Sequence, residues 1–326
     1  MRKKILFIAL INTFTFPCFS QITTTSVATP KKQEKIIVFD STKNYLGEND
    51  VFSYKGQLLY VLPLSKSIES YGYRNFYKIY CNPLLGMNYW SGRYGERAEE
   101  SEFNTRYEDL VNKYFYVDSI SKYKPVSVLD DYNYLFYLTE KNNPSNRCCY
   151  VYDPNSDFDF NFLVVSHFNY LKENFVGKKF IIAKNYIRGN DIISGDTIII
   201  PDETKMSWTV TDVSILDDEY RNLKMIIKSG NITSCVTVTS FLDGLSPDDT
   251  RRIFEKKEWD KLVATYGYSM MKMVISAKIK VGMPKKLLIM SWGKPDRINS
   301  SSHGADQYVY GRDYVYVKGG KVTSWN

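Results

Sequence analysis

The sequence predicts a mainly β protein: two or three small barrels of the SH3-like kind, followed by a small α+β domain at the C-terminus. Three observations predict it. A turn-then-strand pattern recurs along the first part of the chain. Tyrosine, a strong strand former, is unusually common, with 27 residues against 18 Phe and 5 Trp. Near Leu245 the apolar spacing changes from alternation to a helical period.

The recurring pattern occupies residues 54–61, 110–117 and 175–182, about 60 residues apart. In each copy a Gly or Asn precedes four strand formers, which marks a turn that opens a strand. Two strand pairs follow the second and third copies. Residues 134–138 and 149–152 flank the turn signal Asn142-Asn143, and residues 223–227 and 235–238 flank Gly230-Asn231, so each pair reads as a hairpin. Residues 208–215 alternate with one slip between Val210 and Val213, which suits a β-bulge. Four or five short strands in about 60 residues fill a small barrel. The modules fall at 36–107, with a long Gly-, Asn- and charge-rich loop at 83–106, then at 108–166 and 167–243. One larger β-sandwich is the alternative. Residues 167–174 read as one or two helical turns.

The last domain, 244–326, opens with a helical lead-in. Ser246-Pro247-Asp248-Asp249 offers an N-cap, a proline at the first helical position and acids in the first turn. Ile253, Trp259, Leu262, Val263 and Tyr266 give one apolar face, Gly267 stops the helix, and a second helix is expected near 269–278. Residues 307–310, 314–317 and 321–325 then form a three-stranded meander.

Within this domain Gly282-Met283, a helix ending at Trp292-Gly293-Lys294-Pro295, and the pair Tyr310-Gly311 resemble the SmpA/OmlA (BamE-like) family of bacterial envelope domains. The resemblance covers about residues 270–326. It implies a helix–helix–three-strand fold and an envelope setting. Pro284 departs from it, standing where members offer Thr as an N-cap. The chain also lacks a clear lipobox.

The N-terminus carries its own address. Arg2, Lys3 and Lys4 precede an apolar run at 5–16, and Pro17-Cys18-Phe19-Ser20 ends it. This is the three-part pattern of a secretory signal peptide, with cleavage expected after Ser20. A short N-terminal anchor and a lipid-modified Cys18 are the alternatives, the second opposed by Thr15 and Pro17. Residues 21–35 read as a flexible polar leader. No later segment is long and apolar enough to span a bilayer. The expected location is extracytoplasmic: periplasmic, outer-membrane-associated or secreted. Cleavage would remove three basic residues and no acidic one, taking the net charge from +7 to +4. That is too mild and too dispersed to point to nucleic acid.

Cys81, Cys148, Cys149 and Cys235 would remain, and four cysteines allow three pairings. No Cys-x-x-Cys occurs. Adjacent Cys148 and Cys149 point to opposite faces if they lie on a strand.

The sequence presents no catalytic constellation. Its two histidines, His167 and His303, lie apart from any nucleophile motif, and neither Gly-rich phosphate loops nor HExxH occurs. Residues 153–159 start like a calcium loop, but Phe158 and Val164 stand where Gly and Glu are needed, so a solvated acidic turn is expected. No metal or cofactor is expected. Tyr71, Tyr73, Tyr89 and Trp90, aromatic residues beside Arg and Asn, form with Arg74 the candidate ligand-binding surface, with packing between modules as the alternative. The expected function is non-enzymatic binding to an envelope protein or a cell-wall or glycan component. The alternative is a wall- or glycan-acting hydrolase with paired carboxylates.

Overall fold

The computed structural model describes residues 38–78, 97–98, 101–123, 133–157, 160–183, 187–199, 206–247, 249–302 and 304–326. The expected signal peptide and leader, Cys81, Tyr89, Trp90 and His303 lie outside them. The architecture is mainly β, with sheets and some helices, and one sheet curls into a half-barrel.

A 3-10 turn at Glu48–Tyr54 precedes β1 (Leu58–Val61), and a second at Glu69–Tyr71 precedes β2 (Phe76–Lys78). A small ribbon follows, β3 (Arg97–Ala98) with β4 (Ser101–Thr105). Next come α1 (Tyr107–Leu110), β5 (Tyr114–Tyr123), β6 (Asn133–Glu140), β7 (Arg147–Tyr152) and β8 (Phe162–Val164). Apart from the ribbon, these strands form one antiparallel sheet in the order β2-β7-β6-β5-β1-β8.

This sheet merges the first two expected modules. β1 pairs directly with β5, Leu59 opposite Phe115, so the first two copies of the sequence pattern are neighbours and not equivalents. The boundary expected at 107/108 therefore separates no two sheets. The physical reason is that a turn residue followed by strand formers specifies a local strand and says nothing about its pairing partner. The core against this sheet is aromatic: the Tyr54 ring lies 5.3–5.7 Å from those of Phe39, Phe136, Tyr152 and Phe160. Cys148 and Cys149 on β7 are both buried, the first in this core and the second in a small cluster with Tyr77 and Leu135.

The chain continues through α2 (Val165–Phe175), β9 (Lys179–Ile182), β10 (Ser207–Ile215), β11 (Leu223–Ser229) and β12 (Ile232–Thr237). Then come α3 (Val238–Leu245) and β13 (Ile253–Glu255). The second sheet runs β12-β11-β10-β9-β13. The expected bulge is present, as a register shift between Val210 and Asp212. The expected helix start at Ser246 is not: Ser246 instead ends α3, and Ile253 belongs to β13, which joins β9. The sheet of the third expected module thus extends past 243.

Last come α4 (Lys256–Tyr266), α5 (Tyr268–Ile275), α6 (Lys285–Trp292), β14 (Arg297–Asn299), β15 (Asp306–Tyr310), β16 (Asp313–Lys318) and β17 (Lys321–Trp325). The third sheet is a meander of four strands, one more than expected. Its core and the preceding one share β9 and β13. Phe180, Ile182 and Ile253 face α2 and α3, whereas Ile181 and Phe254 face the helices that cover the last sheet. That alternation is the two-residue period of a strand buried on both faces.

Candidate functional site

The sequence-predicted surface does not assemble among the described residues. Tyr71 and Arg74 are exposed, in and after the second 3-10 turn. Tyr73 is fully buried in the aromatic core, and its hydroxyl donates to the Leu62 carbonyl at 2.7 Å. Its expected exposure is thereby corrected: a tyrosine ring next to a β-bridge, Tyr73 with Thr105, is drawn into the sheet. Tyr89 and Trp90 are not described.

The residues on which the sequence resemblance rests all lie in or next to α6 and the last sheet. Trp292 and Tyr310 pack edge to face at 5.5 Å, Tyr310 donates to the Gly293 carbonyl, and Gly311 N–H donates to Asp296. Met283 is in the core, Gly282 N–H pairs with the Val322 carbonyl, and Pro295 is buried. Pro284 precedes α6 with no side-chain cap, as its lack of a hydroxyl dictates. All of these contacts are structural.

The chemistry gathers elsewhere, on the face of the second sheet opposite α2 and α3. Two segments build it. Residues 187–199 fold back on themselves, Asn190 bridging to Thr197, and lie along the β12 edge, where Ile192 N–H donates to the Thr233 carbonyl. Asp191 fixes this loop by accepting the amides of Thr233, Ile193 and Ser194 at 2.5–3.1 Å. These bonds hold its carboxyl below the usual aspartate range. The second segment is the turn between β10 and β11. There Asp218 accepts the Tyr220 and Arg221 amides and binds Lys224 and Arg188. Burial alone would raise the Asp218 carboxyl. The Lys224 ammonium, the Arg221 amide and the Arg188 guanidinium outweigh it and hold the carboxyl low.

Two cavities open on either side of the Arg188–Asp218 pair. One, of about 610 Å³, is lined by Arg188, Asn190, Asp191, Ile192, Asp217 and Asp218 among others. The other, of about 540 Å³, is lined by Arg188, Lys224, Cys235, Tyr220 and the start of α3. Burial raises the Cys235 thiol, although Arg188 pulls the other way, so the sulfur keeps its proton. Thr237 caps α3 by accepting the Ser240 amide at 3.3 Å. The described histidine, His167, sits on α2 with Nδ1 donating to the Ser41 carbonyl at 2.9 Å. Among the described residues no group of His, Cys, Asp and Glu side chains has the arrangement of a metal site.

No family model matches the chain, and neither a curated protein nor a solved structure is significantly similar to it. Among the described residues no helix is long and apolar enough to cross a membrane.

Proposed function

We propose that the chain is a non-enzymatic envelope protein that binds a protein or cell-wall partner outside the cytoplasm. The signal-peptide pattern of residues 1–20 and the resemblance of residues 270–326 to BamE-like domains support the setting. The state of the ionisable groups in the cavities supports binding over catalysis, and it is the observation that carries the reading. A hydrolase with paired carboxylates needs one of them held above its ordinary value, so that it keeps a proton to donate. Asp191 and Asp218 are both held below, spent on backbone amides and on cations. A thiol nucleophile needs a base or a lowered value, and Cys235 has a raised one. The contact surface moves accordingly from the candidate residues Tyr71, Tyr73, Arg74, Tyr89 and Trp90 to the cavities beside Arg188, where Tyr220 is 64% exposed.

The test pairs two measurements on mature protein. Incubation with peptidoglycan and with envelope glycans should release no products. Affinity capture from a native envelope extract should recover a partner that Tyr220→Ala weakens. Release of wall fragments would overturn the reading.

A further inference from the structure

The cavity of about 540 Å³ holds more positive charge than its own carboxylate neutralises. Arg188 and Lys224 line it, and both turn to one acceptor, Asp218. The nearby Asp217 is taken by Lys66 and Arg221, and Asp191 by backbone amides. Lys224 is 5% exposed, and an ammonium carries three donors. Among the described residues its hydrogen-bond acceptor is Asp218 Oδ2 alone.

Arg188 is engaged at one corner. Its Nη1 reaches Asp218 Oδ2 at 3.4 Å and Cys235 Sγ at 3.8 Å, both long contacts. Nε and Nη2, the edge that grips a carboxylate or phosphate by two parallel bonds, have no acceptor among the described residues. Tyr220 and Ser240 line the same space. α3 opens there as well, with its Ser240 amide already taken by the Thr237 cap, and the positive end of a helix favours negative charge.

We propose that this cavity binds an oxyanion, a phosphate group borne by an envelope polymer or a lipid headgroup, gripped by the Nε–Nη2 edge of Arg188 with Lys224 behind it. The inference rests on the binding reading above and names the chemistry of its ligand. The Lys224 ammonium is buried with a single acceptor among the described residues and Arg188 lines the cavity, so an oxyanion there would engage donors of both at once. An apolar or cationic ligand would leave them open.

The test titrates inorganic phosphate calorimetrically into the mature full-length protein at fixed ionic strength, with chloride as the reference anion. Saturable binding is expected. Arg188→Gln should weaken it on the order of tenfold or more, and Arg188→Lys, which keeps the charge and loses the two-donor edge, by less. Arg188 is 47% exposed, so its variants should melt with the parent, and Ser240→Ala provides a second probe of the same rim. Pelleting with vesicles of phosphatidylglycerol, set against phosphatidylcholine, identifies a lipid headgroup as the source. Phosphate binding without pelleting identifies a soluble or glycan-borne phosphate. Heats that do not saturate, or that are the same in Arg188→Gln, overturn the proposal whatever envelope capture recovers. Saturable Arg188-dependent binding combined with empty envelope capture keeps the proposal and removes the wider reading.

Discussion

Tyr54 shows how single polar atoms are accommodated in the aromatic core. Its hydroxyl accepts the Leu46 amide at 3.0 Å and donates to the Asn44 carbonyl at 2.8 Å, so a buried ring satisfies two backbone groups. His167 is served less well. Burial pushes its imidazole below the ordinary value of 6.5, while the Ser41 carbonyl and Asp40 pull it part of the way back. A base whose folded value is depressed binds fewer protons folded than unfolded, so stability rises with pH across that interval. The sign gives a definite expectation. Thermal stability should fall as pH drops below about 6.5, and His167→Gln should flatten that segment of the profile. The low-lying Asp40, Asp191 and Asp218 act further down, below the ordinary aspartate value of 3.8. A melting profile from pH 7 to pH 5 that is identical in parent and variant would remove His167 from the account. Its apolar neighbours Val165 and Phe168 suggest half burial, and the full burial comes from what Ser41 and its neighbours bring against it.

At the scale of elements, Gly72 carries a backbone requirement. Its φ is +67°, and a Cβ there would stand 2.1 Å from the Thr105 carbonyl oxygen. That oxygen accepts Tyr73 N–H at 2.7 Å, and Thr105 N–H returns the bond at 2.8 Å. Gly72→Ala should break this bridge and destabilise the fold by more than about 1 kcal/mol, read as a lower urea midpoint. An unchanged midpoint would show that the bridge contributes nothing. The sequence disclosed those elements whose period and turns agree: the β11–β12 hairpin at Gly230-Asn231, the bulge after Val210, and α6 with the strands that follow it. It misled at residues 238–246. The strand expected at 235–238 ends at Thr237, which caps α3, because Val238 and Phe241 pack under the second sheet. The cavity was not legible. Lys224 falls on the side of β11 that alternation assigns to solvent, and what covers it includes the remote loop at 187–199, which has no apolar period.

Across the whole molecule, Arg221 joins the first two sheets. From the turn between β10 and β11 its Nη1 donates to Glu69, to the Leu64 carbonyl and to the Tyr107 hydroxyl, and its Nε faces Asp217 at 3.4 Å. Lys66 N–H adds a bond to the Glu219 carbonyl beside it. Arg221→Ala should loosen this junction, so that urea unfolding broadens or separates into two steps as the sheets lose their coupling. A single transition as sharp as the parent's would argue that apolar contact alone couples them. The tyrosine-rich interior has a further consequence, at the alkaline end of the pH scale. Burial raises the phenols of Tyr54, Tyr73, Tyr152 and Tyr310 above their ordinary value of 10, so the stability tied to their neutral forms is intact below pH 10 and drains away above it. The protein therefore carries its own optical indicator of alkaline collapse: tyrosinate absorbance should climb gradually with the accessible rings and then jump as the sealed ones are released together with the loss of the fold. A smooth curve that overlays the urea-unfolded chain would mean those rings were never sealed.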